Sequence, residues 1–310
     1  MFLTITANSA LDRVIYIDEF IPGTTMRPQK LVESVGGKGF DTSVVYRALG
    51  QETLALGFVA GETGKALVRL LDKYGIQHDL IWVNGETRIA DVIVEIRHNR
   101  HSHLIAQSYQ VNPDAYRDLL GRFEAVVAKA SWVVASGSLP EGIPANFYGT
   151  LAEIARKYNV PILIDCPGEP ARQAIPFKPA ILKMNNREFS ETFGIDILSL
   201  DDLKQKALSI CQMHGIQTLV ITCGEQGILA ITAEGCYLAA SPKQKEVNAA
   251  GAGDAASATL TWRFSLGESW RQAVQWAAAT SAATVLTEGT ADCNFSDIER
   301  IYPLVTVQTV

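Results

Sequence analysis

Five cysteines are scattered through 310 residues, at Cys166, Cys211, Cys223, Cys236 and Cys293, and no two form a Cys-x-x-Cys pair. So thin a set excludes a disulfide framework and predicts a reducing, cytoplasmic setting. No apolar run approaches the roughly 20 residues that a membrane-spanning helix needs. The first residues, MFLTITANSALDR, carry neither a basic start nor a small-residue cleavage site, so a strand is expected there rather than a signal peptide. Positive charge is also scarce: 27 lysines and arginines face 33 acidic residues, the net charge is −6, and no basic cluster stands out. Nucleic acid is therefore disfavoured as a partner, and any phosphorylated ligand has to be gripped by a few local cations. Internal repeats, low-complexity tracts and linkers are missing too. What remains is a chain with 47% hydrophobic and 19% charged residues, long enough for one large α/β domain with a small appendage.

The first third is rich in strand signals. FLTIT, RVIYID, LVESV, TLALGFV and HDLIWV are apolar runs with β-branched residues. ETRIADVIVEI and SHLIAQ follow, joined by the polar tip RHNRH, and read as a hairpin with two mostly polar faces. From about residue 112 short buried strands alternate with helices. Asn112 caps the helix that begins at Pro113, and a serine opens and a glycine closes the helix in SLDDLKQKALSICQMHG. Two Ala-rich helices, 254–265 and about 268–286, come last. This alternation implies β-α-β units in a doubly wound, mostly parallel sheet, whose ligands sit beyond the carboxyl ends of the strands. Ser136, Asp165, Asn185 and Gly224 all stand at such ends. The early strands that lack an intervening helix predict a small β lid, about 12–34 and 86–107, inserted into a single domain spanning 1–310.

Several motifs are decoys. GETGKA (61–66) has Val59 where a phosphate loop needs its first glycine and Ala66 where it needs Ser or Thr, which leaves a surface turn into a helix. GAGD (251–254) lacks the third glycine of a dinucleotide fingerprint and lies far from the first strand, which argues against a dehydrogenase. His98, His101 and His103 cluster in the hairpin, and alternation puts the last two on one face. No third strong ligand is evident nearby, so an exposed tip is expected rather than a metal site.

Two glycine-rich turns that lead into helices carry more. Gly36, Gly37 and Gly39 surround Lys38, and Gly251, Ala252 and Gly253 precede Asp254. A helix N-terminus with small residues is an anion site, because its free N–H groups and its dipole point outward. Asp254 at the mouth of such a turn is either a helix cap or a base.

Taken in order, TANSALD (6–12), GGKG, SGSLPEG (136–142), KMNNRE (183–188), TCGEQG (222–227) and NAAGAGDAAS (248–257) resemble the ribokinase-like, or PfkB, family of carbohydrate kinases, and most closely its phosphosugar branch. The resemblance spans nearly the whole chain. It implies a three-layer α/β/α fold with a β lid, ATP as co-substrate, Mg2+, and a lid-to-lid homodimer. It implies that Asp254 is the catalytic base, and that the N–H groups of Ala252, Gly253 and Asp254, in the turn that Gly251 opens, form the anion hole of the catalytic site. Asp12, Gly37, Lys38, Asp41, Arg88 and Ser138 would meet the sugar or its phosphate. Lys183, Thr222, Gly224, Gly227 and Asn248 would meet the nucleotide beside an Ala-rich wall at 278–284, and Asn185 with Glu188 would place magnesium, largely through water.

The implied reaction is phosphorylation of a hydroxyl of fructose 1-phosphate, fructose 6-phosphate or tagatose 6-phosphate. Two departures qualify the sugar. The family usually has asparagine where this chain has Asp41, and phosphofructokinases often have arginine at about His103. They open a second reading, a kinase of the same fold acting on a free sugar or nucleoside. A third, of another class, is a sugar-phosphate-binding regulator without catalysis.

Overall fold

Two kinds of connection build two sheets. A computed structural model describes residues 1–98 and 100–310. In chain order the strands begin with β1 (Phe2–Thr6), β2 (Ala10–Ile17), β3 (Lys30–Gly36), β4 (Thr53–Val59), β5 (Gln77–Trp82), β6 (Arg88–Glu95) and β7 (Arg100–Ile105). They continue with β8 (Trp132–Ser136), β9 (Ile162–Asp165), β10 (Ile181–Asn185), β11 (Leu219–Thr222), β12 (Ile228–Thr232), β13 (Gly235–Ala240) and β14 (Thr306–Thr309). The helices are α1 (Lys38–Ala48), α2 (Gly61–Lys73), α3 (Pro113–Val127), α4 (Phe147–Lys157) and α5 (Gly168–Ala174). After them come α6 (Asn186–Phe193), α7 (Leu200–His214), α8 (Ala252–Ser265), α9 (Trp270–Thr284) and α10 (Phe295–Ile301).

The ten-stranded sheet has the order β14-β13-β12-β11-β10-β9-β8-β1-β4-β5, parallel from β11 to β5 and antiparallel beyond. It is the doubly wound sheet that the strand–helix alternation predicts. One face is covered by α3 to α7 and the other by α8 to α10 with part of α1, so both sides of the central strands are buried. That is why FLTIT, WVVAS and LVIT are buried along nearly their whole length and carry apolar residues on both faces. Strand order reverses between β1 and β8. At that point Asn8, just past β1, donates through Nδ2 to Ser138 Oγ, just past β8, at 3.0 Å.

The second sheet, β3-β2-β6-β7, is separate, and its β2 and β6 run parallel. The hairpin β6–β7 forms as expected, but its first strand is not polar-faced. Val92 and Val94 pack with Val14 and Tyr16 in a small core of their own, because that face looks onto the body of the protein. The GETGKA turn does start a helix, α2. There the carboxylate of Glu86 accepts the N–H groups of Glu62 and Thr63, and so occupies the end that a phosphate would otherwise use.

Candidate active site

Beyond the carboxyl ends of the central strands, and beneath the small sheet, lies a cavity of about 910 Å3. Its wall joins the residues of both glycine-rich turns. Gly37 caps α1 with φ +99°, which places Lys38 and Asp41 in the first turn. Gly39 sits against the Ile5 carbonyl, so α1 approaches β1 too closely for any side chain there. Gly251 caps α8 with φ +84°, and an added methyl would collide with the backbone of Ala291. A cap reading of Asp254 therefore fails. The cap is Gly251, Asp254 is three residues into the helix, and its Oδ1 has no hydrogen-bond partner. The Ala252 N–H is partly engaged with the Ala249 carbonyl at 3.3 Å. The amides of Gly253 and Asp254 remain in the first turn, where α-helices leave donors unpaired.

Asp254 is 6% exposed. Burial, with the charge of Asp165 added, raises its carboxyl to about 7, against the pull of Lys38 and Lys183. The ordinary aspartate value of about 3.9, which sequence alone suggests, is thus displaced by desolvation.

Asp165, which the sequence places at a strand end without a partner, is the electrostatic hub. The parallel register sets Lys183 of β10 directly beside Asp165 of β9. Lys183 Nζ donates to Asp165 Oδ2 at 2.5 Å, with both side chains 2% exposed. Lys38 Nζ donates to Asp165 Oδ1 at 3.0 Å and to Glu188 Oε1 at 2.7 Å. Ser257 Oγ of α8 donates to Asp165 at 3.3 Å. Burial alone would raise the Asp165 carboxyl, but the two ammonium groups outweigh it and hold the group at about 2. Lys183 Nζ lies 3.6 Å from where a Gly253 side chain would begin, so glycine keeps the turn open beside this cation.

Asn185 and Glu188 form a reciprocal capping box at the start of α6. Asn185 Oδ1 accepts the Glu188 N–H and Glu188 Oε2 accepts the Asn185 N–H, each at 2.8 Å. Both residues line the cavity. They are hard donors already committed to the backbone, and so suit an ion that keeps its waters. Among the described residues no three His, Cys, Asp or Glu side chains cluster in a way that could hold a metal ion. His101 is not at an exposed tip either: its side chain is 14% exposed and meets Glu246 at 3.3 Å, across the cavity mouth.

At one end of the cavity stand Asp12, Asp41, Arg88 and Ser138. Asp12 Oδ2 accepts the Thr290 hydroxyl at 3.0 Å. Arg88 donates to the Asn8 carbonyl at 3.3 Å, while its Nε has no partner. At the other end stand Thr222, Gly224, Gly227, Ala278, Ser281 and Ala282. Ser281 Oγ donates to the Ala252 carbonyl at 2.8 Å, which ties the Ala-rich helix to the α8 turn. Asn248 does not line the cavity. It is fully buried, its amide N–H groups reach the carbonyls of Glu288 and Gly289, and its Oδ1 accepts the Ala250 N–H, so it braces the turn from behind. Lys38 also departs from expectation, being directed to the carboxylates of Asp165 and Glu188 rather than to the end with Arg88. Thr290 carried no signal in GTADC, because only folding brings it to Asp12.

An α/β domain that sets a glycine-capped helix start, a buried carboxyl and two lysines around one cavity beyond its strand ends is consistent with a phosphotransferase. Comparison with known proteins makes the assignment specific. The model of the pfkB family of carbohydrate kinases matches residues 5–297, and the chain belongs to that family. It is 30% identical over 307 residues to an ATP-dependent 6-phosphofructokinase isozyme 2 of Mycobacterium tuberculosis, covering 99% of this chain and 90% of the relative. Among solved structures it is similar to a possible 1-phosphofructokinase from Thermotoga maritima, with TM-score 0.91, 26% identity and 100% and 99% of the two chains covered. Phosphofructokinase-2 from Escherichia coli, solved in complex with potassium, shares the fold, with TM-score 0.88, 24% identity and 98% of each chain covered. The chain is a sugar kinase, with ATP as its co-substrate.

Proposed function

We propose that the protein transfers the γ-phosphoryl group of ATP to a hydroxyl of a ketohexose phosphate, namely fructose 1-phosphate, fructose 6-phosphate or tagatose 6-phosphate. The observation that carries this reading is one cavity lined both by Asp254 with the first turn of α8 and by Arg88, a cation supplied by the small sheet. The phosphofructokinase names of the relatives agree with it.

In this reading the acceptor lies between the small sheet and α1. Asp12, Asp41 and the Gly37 turn meet its hydroxyls, Ser138 lies near the same pocket, and Arg88 grips its phosphate. Asp254 accepts the hydroxyl proton as the new bond forms. The amides of Gly253 and Asp254, with Lys183 and Lys38, receive the charge of the phosphoryl group in flight. Thr222, Gly224 and Gly227 with the Ala278–Ala282 wall hold the nucleotide. Asn185 and Glu188 would hold hydrated Mg2+, which supplies neutralisation of phosphate charge when bound. The small sheet acts as a lid that excludes water from the transfer. Its outer face exposes Leu31 and Leu104, 47% and 58% accessible, and its edge strands are uncovered, which supports a homodimer through the lid. Sedimentation that finds only monomer at micromolar concentration would remove that part. Five unpaired cysteines fit a cytoplasmic setting, and no helix of the described residues is long and apolar enough to cross a membrane.

The deciding experiment is ADP release with MgATP over an acceptor panel of the three ketose phosphates, free fructose, ribose and adenosine. Fast turnover on one ketose phosphate is expected. Turnover confined to unphosphorylated acceptors would favour the second reading, which the buried Asp41 carboxyl motivates. Ketose phosphate binding without turnover would favour the regulator.

Two further results are expected. Arg88→Ala should raise KM for phosphorylated acceptors by roughly 10–100-fold, the worth of one charge-assisted contact of about 1.5–3 kcal/mol. An equal rise for free sugars would take Arg88 out of the phosphate subsite. The acid limb of kcat/KM should be centred near 7 rather than near 4. A base raised to about 7 by burial is protonated, and idle, below that pH. A limb that begins only below pH 5 would contradict the assigned environment of Asp254.

A further inference from the structure

Two carboxyl groups share the Arg88 end of the cavity, and they are unequally supported. Asp12 has the Thr290 hydroxyl on Oδ2. Asp41, in the first turn of α1, is 5% exposed and lines the cavity, yet its Oδ1 has no hydrogen-bond partner. The charged and titratable groups that face it come from every neighbouring element: Asp12 of β2, Asp254 of α8, Lys38 of its own helix, Arg88 of β6, and Tyr74 just after α2. Two of these are carboxyls. Of the two cations, Lys38 is bonded to Asp165 and Glu188, and Arg88 donates to the Asn8 carbonyl.

The positive end of α1 favours an anion by about 0.3–1 kcal/mol, or about 2 in favourable buried geometry. Burying an unpaired carboxylate costs several kcal/mol. Desolvation wins, and a carboxyl so placed keeps its proton. Burial, then the charges of Asp12 and Asp254, hold Asp41 well above the usual carboxylate range, against weaker pulls from Lys38 and Arg88. Burial raises Asp12 less, to about 7, because Thr290 and Arg88 oppose it.

We propose that Asp41 is a specificity-determining residue that acts as a neutral carboxylic acid, donating its O–H to an oxygen of the sugar acceptor while Asp12 accepts from a sugar hydroxyl. This deepens the kinase reading above and rests on it. A carboxylate offers acceptors alone, whereas a neutral acid offers one donor and an acceptor. Together the two groups read a donor and an acceptor oxygen on one polyol, and an uncharged Asp41 leaves one carboxylate fewer beside Arg88 to repel the acceptor's phosphate. Once Asp41 loses its proton the pocket presents two negative charges, loses its donor and repels a phosphosugar.

The test is the pH profile of kcat/KM for the acceptor from about pH 6 to about pH 10, in the wild type and in Asp41→Asn. A sugar phosphate, with a second ionisation near 6, is already a dianion through most of that range. The wild type should show an alkaline limb falling about tenfold per pH unit, carried by the acceptor KM and not by the KM for ATP. Asp41→Asn keeps a donor and an acceptor but cannot ionise, so that limb should vanish. A wild type without the limb, or a variant that keeps it, overturns the proposal. A second readout needs no turnover. The infrared spectrum of the free protein at about pH 9, where Asp12 and Asp254, raised only to about 7, are ionised, should contain a protonated-carboxyl C=O band that is lost in Asp41→Asn, while circular dichroism shows both proteins folded. An unchanged band overturns the proposal whatever the panel finds. A lost band with no acceptor turned over would instead fault the kinase reading and leave the proton on Asp41.

Discussion

Asp254→Asn is expected to lower kcat by about 10²–10⁴-fold while the KM for ATP stays within a few-fold of the wild type. The magnitude is that of losing a positioned general base. Asparagine has nearly the same shape, so the α8 turn, set by Gly251 and braced by Asn248, should persist. What is lost is the acceptor for the hydroxyl proton. The Gly253 and Asp254 amides, Lys38 and Lys183 remain to receive the phosphoryl group, so residual turnover above the uncatalysed rate is expected. Steady-state kinetics with the best acceptor of the panel provide the check. Near-native turnover would mean that the unpartnered carboxyl of Asp254 has no part in proton transfer, and the mechanism would have to be rebuilt around the lysines.

The second large effect is on stability. Asp165→Ala should cost about 3–5 kcal/mol, the usual penalty for leaving one member of a buried ion pair without its partner. Lys183 is 2% exposed and has Asp165 as its ion-pair partner, so the substitution strands a charge in the core. Lys38 suffers less, because Glu188 still holds it. Against a total stability of about 5–15 kcal/mol, this is enough to populate unfolded protein near physiological temperature. Urea denaturation should show a lower midpoint with an unchanged m-value. Asp165→Asn should be milder, since an amide oxygen still accepts from Lys183. A loss under about 1 kcal/mol for Asp165→Ala would mean that Lys183 reaches water or another partner instead.

Much of the architecture could be read from the chain because it rests on local chemistry. Continuous apolar strands bounded by helices report burial on both faces, and the capping residues of α3 and α7 mark where those helices begin. Gly36, Gly37, Gly39 and Gly251 are required by close approach or positive φ, which is a property of single residues. The capping box at Asn185 and Glu188 is a three-residue spacing and needs no tertiary contact to be seen. The polar-faced reading of β6 failed for the opposite reason. RIADVIVE says which residues alternate, but not that one of its two faces would lie over the body and bury Val92 and Val94.

The sequence by itself determined the doubly wound fold, the two glycine-rich turns that meet at one cavity, and the family. Each is written in composition, period or ordered motifs. Tertiary structure alone decided the electrostatics. Asp165 became a hub because parallel register set it beside Lys183 and because α1 brought Lys38 within 3.0 Å across 127 residues of chain. Thr290 came to Asp12 from 278 residues away, and His101 was covered by Glu246. Burial then raised Asp254 and Asp41, which a linear chain presents as ordinary ionised aspartates. Charge, desolvation and proton occupancy depend on distances between segments that no local pattern encodes.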